Sequence, residues 1–285
     1  LPQDSCHLES KYLADAIGQE FKLDSAGRIF YYNTSIYDAP LPVKGERKFP
    51  VIIYAAGMNG SSWENVILFH ELVQRGYIVA AISSVGLYPG YMSAAEDLDE
   101  QVKDILFTNG QLGRIPIADT SRIGLLSWSL GGNAISKAAM QDYHFKCLLS
   151  FDGTEIHRYG NDTAWDREYN GIMRNSSVFP GKIKVPYGYL SSEHPPKVDS
   201  IYDIQQRSSA APKYFLKIKD ARHEDFSSII AIAEHVQPSL GHAHTAQQEV
   251  IDDLTGNFFD EYLKGGISGG FAKQLDSLVA SGGYC

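Results

Sequence analysis

The stretch from Arg122 to Asn133 combines residue types that could support nucleophilic chemistry. Its first half is largely apolar and predicts a buried strand, and apolar residues return at helical spacing from Ala134 onward. Between them, the sequence Ser-Trp-Ser-Leu-Gly at residues 127–131 fits the pattern Gly-x-Ser-x-Gly, with serine in place of the first glycine. In that pattern a sharp strand-to-helix turn exposes the central serine, so Ser129 is the candidate nucleophile. A plain Gly/Ser turn between a strand and a helix is the alternative interpretation.

A serine hydroxyl needs a base that accepts its proton, and the base needs a carboxylate that fixes its tautomer and stabilises its charge. His223 is the best-placed base, because it follows a predicted strand and a short loop and precedes residues that can begin a helix. This position fits the chain order serine, acid, histidine. Six other histidines are less well placed: His7 and His70 precede the serine, His144 and His157 follow it too closely, and His242 and His244 lie in a Gly/Ser-rich loop before the final helix.

Two carboxylates are candidates for the acid. Asp152 comes one strand after the turn, directly behind an apolar run. Glu193 comes one strand later and also follows a predicted strand. Because ligand-binding residues gather at the carboxyl ends of parallel strands, either side chain could lie near His223. The residues alone leave both assignments open.

Backbone amides beside the serine could bind the negative charge that forms on an attacked carbonyl oxygen. One amide should come from Leu130, at the start of the helix after Ser129. The second should come from Met58, in the loop Gly-Met-Asn-Gly at residues 57–60 that follows the first long strand. We expect the glycines of this loop to let the backbone turn its amides inward.

Apolar strands that alternate with helices indicate an α/β fold with a mostly parallel central sheet, flanked by helices on both faces. The predicted strands cover residues 49–54, 77–82, 123–126, 145–151, 185–190 and 214–218. Helices are predicted over 63–75 and 93–109, and a last, amphipathic helix over 246–263. Residues 21–23 and 28–32 predict an opening antiparallel hairpin.

The length and the lack of an internal repeat predict one domain over residues 1–285. Residues 154–180 lie between two predicted strands, show no regular pattern and include Tyr159, Trp165, Tyr169 and Met173. An insertion of this kind could form a lid or a substrate wall over the crevice. A surface excursion whose aromatic side chains pack on the core is the alternative.

The composition restricts the expected partners. A formal net charge of -9, with no cluster of Lys and Arg, argues against nucleic acid. No apolar run approaches the roughly 20 residues that span a bilayer, so we expect no transmembrane segment. Asn-x-Ser/Thr triplets begin at Asn33, Asn59, Asn161 and Asn175 and are typical of a secreted or periplasmic protein, although a Ser-rich chain also contains some by coincidence.

The three cysteines, Cys6, Cys147 and Cys285, are too few and too scattered for a zinc site or a disulfide framework. Cys147 lies in an apolar run and is predicted to be a buried thiol. Cys6 and Cys285 could pair with each other or stay free.

From about Phe49 to His223 the sequence resembles the platelet-activating-factor acetylhydrolase branch of the α/β-hydrolases, which is related to dienelactone-hydrolase-like esterases. Residues 127–132 are similar to the family's Gly-His-Ser-Phe-Gly-Gly, and residues 223–226 to its His-x-x-Phe. The strand that ends at Asp152 resembles the one whose closing aspartate is the family's acid, so the resemblance favours Asp152 over Glu193. Two residues depart from the family, since Ala56 replaces a histidine and Ser127 a glycine.

The resemblance implies an α/β-hydrolase fold and a serine esterase that cleaves carboxylic esters through an acyl-enzyme intermediate. Ser129 would be the nucleophile, His223 the base and Asp152 the acid, and the amides of Met58 and Leu130 would bind the oxyanion. No metal or organic cofactor is implied, because water completes such a cycle, and the expected substrate is a small-molecule or lipophilic ester. A polyester, cutin, lactone or amide hydrolase of the same fold is an alternative, as is a binding protein that retains the fold without activity.

Overall fold

We describe the fold from a computed structural model of the 285-residue chain. The structure describes residues 47–86, 95–142, 144–158, 164, 166–167, 170–171, 179–193, 199–200, 203–236, 243–266 and 269–280. The predicted hairpin at residues 21–32, Cys6, Cys285 and the four named residues of the 154–180 insertion lie outside these described residues.

The central sheet contains six strands, and every neighbouring pair in it runs parallel. The strands are β1 (Phe49–Ala55), β2 (Ile78–Ile82), β3 (Ala118–Trp128), β4 (Cys147–Phe151), β5 (Tyr187–Ser192) and β6 (Lys213–Ile218), in the order β2-β1-β3-β4-β5-β6. A parallel pair needs a crossover connection, which helices commonly supply. The expectation of a mostly parallel sheet is confirmed.

The helices of the described chain are α1 (Val66–Gln74), α2 (Ala95–Gln111), α3 (Gly131–Gln141), α4 (Asp203–Arg207), α5 (Ser228–Val236), α6 (Ala243–Lys264) and α7 (Gly270–Ala280). The prediction that the helix over 246–263 is the last one is wrong, since α7 follows it. Phe271 is the buried residue of α7, and Leu275 and Leu278, which follow it at helical spacing, pack partly buried against the same core layer. Among these described helices, none is both long and apolar enough to cross a membrane.

The core has two apolar layers, one on each face of the sheet, because successive side chains of a strand point to opposite faces. On β1, Val51 and Ile53 pack in the layer that contains α2 and α3, whereas Ile52 and Tyr54 pack in the layer that contains α1 and α6. Burial of a side chain of this size contributes about 1.5–3 kcal/mol. Cys147, on β4, is a buried free thiol, as predicted.

The register of the central strands decides which strand ends meet. Trp128 at the end of β3 pairs with Phe151 at the end of β4, and Phe151 pairs with Leu190 on β5. The residues just beyond β3 and β4 are Ser129 and Asp152, so the sheet places them side by side.

Candidate active site

Ser129 lies in a sharp turn between β3 and α3. Its φ of 53° is in the left-handed region, which a residue other than glycine adopts at a cost of about 1–3 kcal/mol. A Cβ at Gly131 would lie 2.2 Å from the carbonyl oxygen of Ala55, so glycine lets α3 pass this close to β1. Ser127, which replaces the first glycine of the pattern, is fully buried and is small enough to fit below the turn. The turn therefore has the geometry that the sequence pattern predicts around the serine.

The imidazole of His223 lies between the side chains of Ser129 and Asp152. Its Nε2 is 3.0 Å from Ser129 Oγ, and its Nδ1 is 2.7 Å from Asp152 Oδ2. When Nδ1 carries the proton it donates to Asp152, and Nε2 then accepts the hydroxyl proton of Ser129. The three side chains form one hydrogen-bonded series along which a proton can leave the serine.

Asp152 is buried at the end of β4, where its φ is 42°. Its carboxylate also accepts hydrogen bonds from the amide of Ser192 at 2.9 Å and from the hydroxyl of Ser192 at 2.8 Å. Burial opposes ionisation, but the hydrogen bond and charge of His223, together with the two bonds from Ser192, lower the pKa of Asp152 below its usual value. The carboxylate is therefore ionised beside the imidazole at neutral pH.

Glu193 has a different position. Its Oε2 accepts a hydrogen bond from the amide of Asp220 at 2.6 Å, and its own amide donates to the carbonyl oxygen of Ala221 at 3.0 Å. These bonds attach the end of β5 to the loop that leads from β6 to His223. The carboxylate that is bonded to the imidazole is that of Asp152.

A short 3-10 turn, called here the His223 turn (residues 223–226), positions the imidazole. Asp225 Oδ2 accepts a hydrogen bond from the amide of Arg222 at 2.7 Å and caps the turn. The indole of Trp128 donates from Nε1 to the carbonyl oxygen of His223 at 3.0 Å. The centroids of the Trp128 and His223 rings lie 5.2 Å apart. No sequence pattern predicts this contact, because 95 positions separate the two residues.

The β1 loop (residues 56–60) passes beside Ser129. A Cβ at Gly57 would lie 3.0 Å from the Trp128 ring and 3.3 Å from the Cβ of Ser129, so a side chain here would crowd both residues. The left-handed residue of the loop is Asn59, with a φ of 58°, and neither glycine of the loop has a positive φ. The left-handed turn of the loop is therefore made by a residue other than glycine, and the inward direction of the loop amides stays a prediction. Gly57 provides space, and Asn59 makes the turn.

The amides of Met58 and Leu130 have no hydrogen-bond acceptor among the residues that the structure describes. Met58 follows Gly57, which packs against Ser129, and Leu130 follows Ser129 itself. The Leu130 amide also lies at the N-terminus of α3, where the helix dipole favours negative charge. Neither N–H group is thus used within the described part of the chain.

Glu64 is a buried carboxyl group that the sequence did not predict. Its Oε1 accepts hydrogen bonds from the Tyr54 hydroxyl at 2.6 Å and from the Gly57 amide at 2.9 Å. Burial raises the pKa of Glu64 to about 7, although these bonds and the charge of His223 act in the opposite direction. A glutamate just before a helix is common on protein surfaces, so the sequence offered no signal that this one is buried.

The arrangement supports nucleophilic attack by an activated hydroxyl. Ser129 can attack an electrophilic carbon while His223 takes its proton. Within the described ranges, no group of three or more His, Cys, Asp and Glu side chains is placed to hold a metal ion.

The strand order, the serine in the turn after β3 and the histidine after β6 define an α/β-hydrolase fold. Solved structures with this fold include a ferulic acid esterase from Streptomyces cinnamoneus, with a TM-score of 0.55 and 17% identity over 78% of this chain and 69% of that chain. DcsB, solved in complex with its substrate analogue, has a TM-score of 0.53 and 17% identity over 77% of this chain and 92% of that chain. No protein-family model and no curated protein matches the sequence. At this level of identity the similarity establishes the fold alone.

Proposed function

We propose that the protein is a serine hydrolase that cleaves carboxylic esters through an acyl-enzyme intermediate. The observation that carries this proposal is the continuous hydrogen-bonded series from Ser129 through His223 to Asp152. The fold shared with a ferulic acid esterase gives independent support for an ester as the substrate.

In the first half of the reaction, Ser129 Oγ attacks the carbonyl carbon of the ester and His223 Nε2 takes the hydroxyl proton. The electron pair of the carbonyl moves to its oxygen, where the amides of Met58 and Leu130 stabilise the charge. Loss of one such donor typically costs about 3 kcal/mol of transition-state stabilisation. The tetrahedral intermediate then collapses, the imidazolium gives its proton to the leaving alcohol, and Ser129 is left acylated.

In the second half, His223 takes a proton from water while the water oxygen attacks the acyl carbon. The imidazolium then returns its proton to Ser129 Oγ as the carboxylic acid leaves. Asp152 stabilises the imidazolium in both halves, because its charge lies 2.7 Å from Nδ1. Glu193 is unsuited to this role, since its carboxylate is bonded to the backbone of Asp220.

The kind of ester that is proposed follows from the net charge of the chain and from the family that its sequence resembles. A net charge of -9 disfavours anionic esters, so a neutral or lipophilic ester is the proposed substrate. Hydrolysis rates for p-nitrophenyl esters of increasing acyl length should be compared with those for a feruloyl ester, a short-chain phospholipid ester, a lactone, an amide and a polyester. Preference for the phospholipid would support the platelet-activating-factor acetylhydrolase-like branch, and preference for the amide or polyester would favour the alternatives.

The direct test is Ser129→Ala. This variant should lose ester turnover and covalent labelling by a fluorophosphonate, while its circular dichroism spectrum stays that of the wild type. Ser121→Ala is the matched control, because it removes an exposed serine hydroxyl from β3 and should leave labelling unchanged. Labelling of folded Ser129→Ala at the same rate as the wild type would refute the assignment, and a wild type that hydrolyses no activated ester would favour a binding protein.

A further inference from the structure

Glu64 and Asn65, which precede α1, form the centre of a buried hydrogen-bond network beside the site. Glu64 Oε1 accepts the Tyr54 hydroxyl at 2.6 Å and the Gly57 amide at 2.9 Å. Asn65 Nδ2 donates to the same Tyr54 hydroxyl at 2.8 Å. One side of the network therefore holds the β1 loop.

The other side of the network reaches the residues that follow His223. Asn65 Nδ2 donates to the carbonyl oxygen of Phe226 at 3.0 Å, and Asn65 Oδ1 accepts from the amide of Ser228 at 3.0 Å. The same Ser228 amide also lies 3.0 Å from the carbonyl oxygen of Glu64. These bonds join segments that are 161 to 163 positions apart in the chain and attach the His223 turn to the β1 loop.

The direction of the Met58 amide follows from the bonds around Gly57. The Gly57 carbonyl accepts a hydrogen bond from the Gly60 amide at 2.8 Å. The Met58 N–H belongs to the same planar trans peptide, so it points away from that bond. The bond from Gly60 therefore holds the Gly57–Met58 peptide, and Glu64 holds the preceding peptide through the Gly57 amide.

We propose that Glu64 and Asn65 are positioning residues that hold the β1 loop against the His223 turn, so that the Met58 amide and the imidazole keep their places around Ser129. This inference rests on the proposed esterase function, since it concerns the binding of the oxyanion. A buried carboxylate elsewhere provides a contrast. Asp252 on α6 accepts a hydrogen bond from Gln248 of the same helix at 2.6 Å, and this bond joins no two loops.

Glu64→Ala removes the acceptor of the Gly57 amide and should lower kcat for a p-nitrophenyl ester about 100-fold, with KM changed less than about threefold. Glu64→Gln keeps an oxygen acceptor and should stay within about fivefold of the wild-type kcat. A merely structural role would lower the melting temperature without this division between kcat and KM. Asp252→Asn is the matched control and should leave kcat unchanged.

The deciding measurement is the affinity for a trifluoromethyl ketone, which forms a tetrahedral adduct with a nucleophilic serine and resembles the transition state. For Glu64→Gln, Glu64→Ala and Asn65→Ala, the inhibition constant should rise by the factor by which kcat/KM falls. Affinity for the carboxylate product should stay constant. Wild-type affinity for the ketone in folded Glu64→Ala would overturn the proposal.

If Glu64→Ala does not fold, Tyr54→Phe provides the second variant, because it removes one hydroxyl that contacts both Glu64 and Asn65. It should weaken ketone binding about fivefold, and unchanged binding would overturn the proposal. A wild-type protein that is neither inhibited by the ketone nor labelled at Ser129 would refute the esterase function itself. An active wild type whose Glu64 variants bind the ketone with wild-type affinity would refute only the positioning role of Glu64 and Asn65.

Discussion

Asp152 and Glu193 differ in what their carboxylates contact, although both follow strands of the same sheet. The Asp152 carboxylate is bonded to His223 and to two donors of Ser192, so its charge is held in a buried position beside the imidazole. The Glu193 carboxylate accepts the amide of Asp220 and stabilises a loop. A carboxylate supports a histidine base by fixing its tautomer and stabilising its charge, which requires direct contact.

Asp152→Asn should therefore lower kcat/KM for p-nitrophenyl acetate about 10³- to 10⁴-fold, because a neutral amide no longer favours the tautomer that leaves Nε2 free to accept a proton. In Glu193→Gln an acceptor for the Asp220 amide remains, so kcat/KM should stay within about threefold of the wild type. Steady-state kinetics measures both, with circular dichroism as the check on folding. A loss confined to Glu193→Gln would identify Glu193 as the acid.

Single residues were predictable from the sequence where chain order and strand ends determine their position. Ser129, Asp152 and His223 each follow a predicted strand, and the structure brings them within hydrogen-bonding distance. The residues alone could not separate Asp152 from Glu193, because the choice depends on strand register and on loop contacts. The burial of Glu64 was not predictable for a similar reason, since its partners become neighbours only when the sheet and α1 pack together.

At the scale of elements, the apolar runs located every strand of the central sheet, but not its full extent. β3 was expected over 123–126 and covers Ala118–Trp128. Its first half carries exposed or half-buried polar side chains such as Asp119 and Ser121, and it pairs with β1 across a register shift between Pro50 and Val51. A strand whose side chains face solvent has no continuous apolar pattern, so hydrophobicity alone shortens it.

The contact between α3 and β1 gives a prediction at this scale. In Gly131→Ala the new methyl would lie 2.2 Å from the carbonyl oxygen of Ala55, and its nearest neighbours are all backbone atoms of Ala55 and Ala56, which cannot rotate away as a side chain could. The variant should lose about 1–3 kcal/mol of unfolding free energy and lower kcat/KM by displacing Ser129. Gly110→Ala is the control, because Gly110 is exposed near the end of α2 and a Cβ there would meet no atom within 4 Å.

Since alanine is the better helix former, Gly110→Ala should gain about 0.5–1 kcal/mol and keep wild-type kcat/KM. Urea unfolding followed by circular dichroism measures both free energies, and ester hydrolysis measures both activities. If Gly131→Ala were as stable and active as the wild type, the close approach of α3 to β1 would have no role in shaping the site.

For the whole molecule, buried carboxyl groups determine how stability changes with pH. Glu64 and Glu155 are both buried, and burial raises the pKa of each to about 7, against an ordinary value of 4.5. Asp152 and Asp260 have lowered pKa values, so the stability that they contribute is lost only in more acidic solution. Between about pH 4.5 and pH 7 the folded chain retains protons that the unfolded chain releases, so the free energy of unfolding should fall as the pH rises.

Glu155 gives the sharpest test, because it lies directly below the turn that holds Ser129. A Cβ at Gly132 would lie 1.9 Å from one of its carboxyl oxygens, and the other accepts the hydroxyl of Tyr187 at 2.9 Å. A tenfold change in a protonation equilibrium is worth about 1.4 kcal/mol, so ionising Glu155 in the folded protein costs about 3 kcal/mol by pH 8.

Glu155→Gln keeps an acceptor for Tyr187 and cannot ionise. Urea unfolding at pH 5 and at pH 8 measures how much unfolding free energy is lost between the two. This loss should be about 2 kcal/mol smaller in Glu155→Gln than in the wild type. Glu224→Gln is the control, because it alters an exposed carboxyl group and should show the same loss as the wild type. An identical pH dependence in Glu155→Gln and the wild type would mean that Glu155 is already ionised in the folded protein at pH 5.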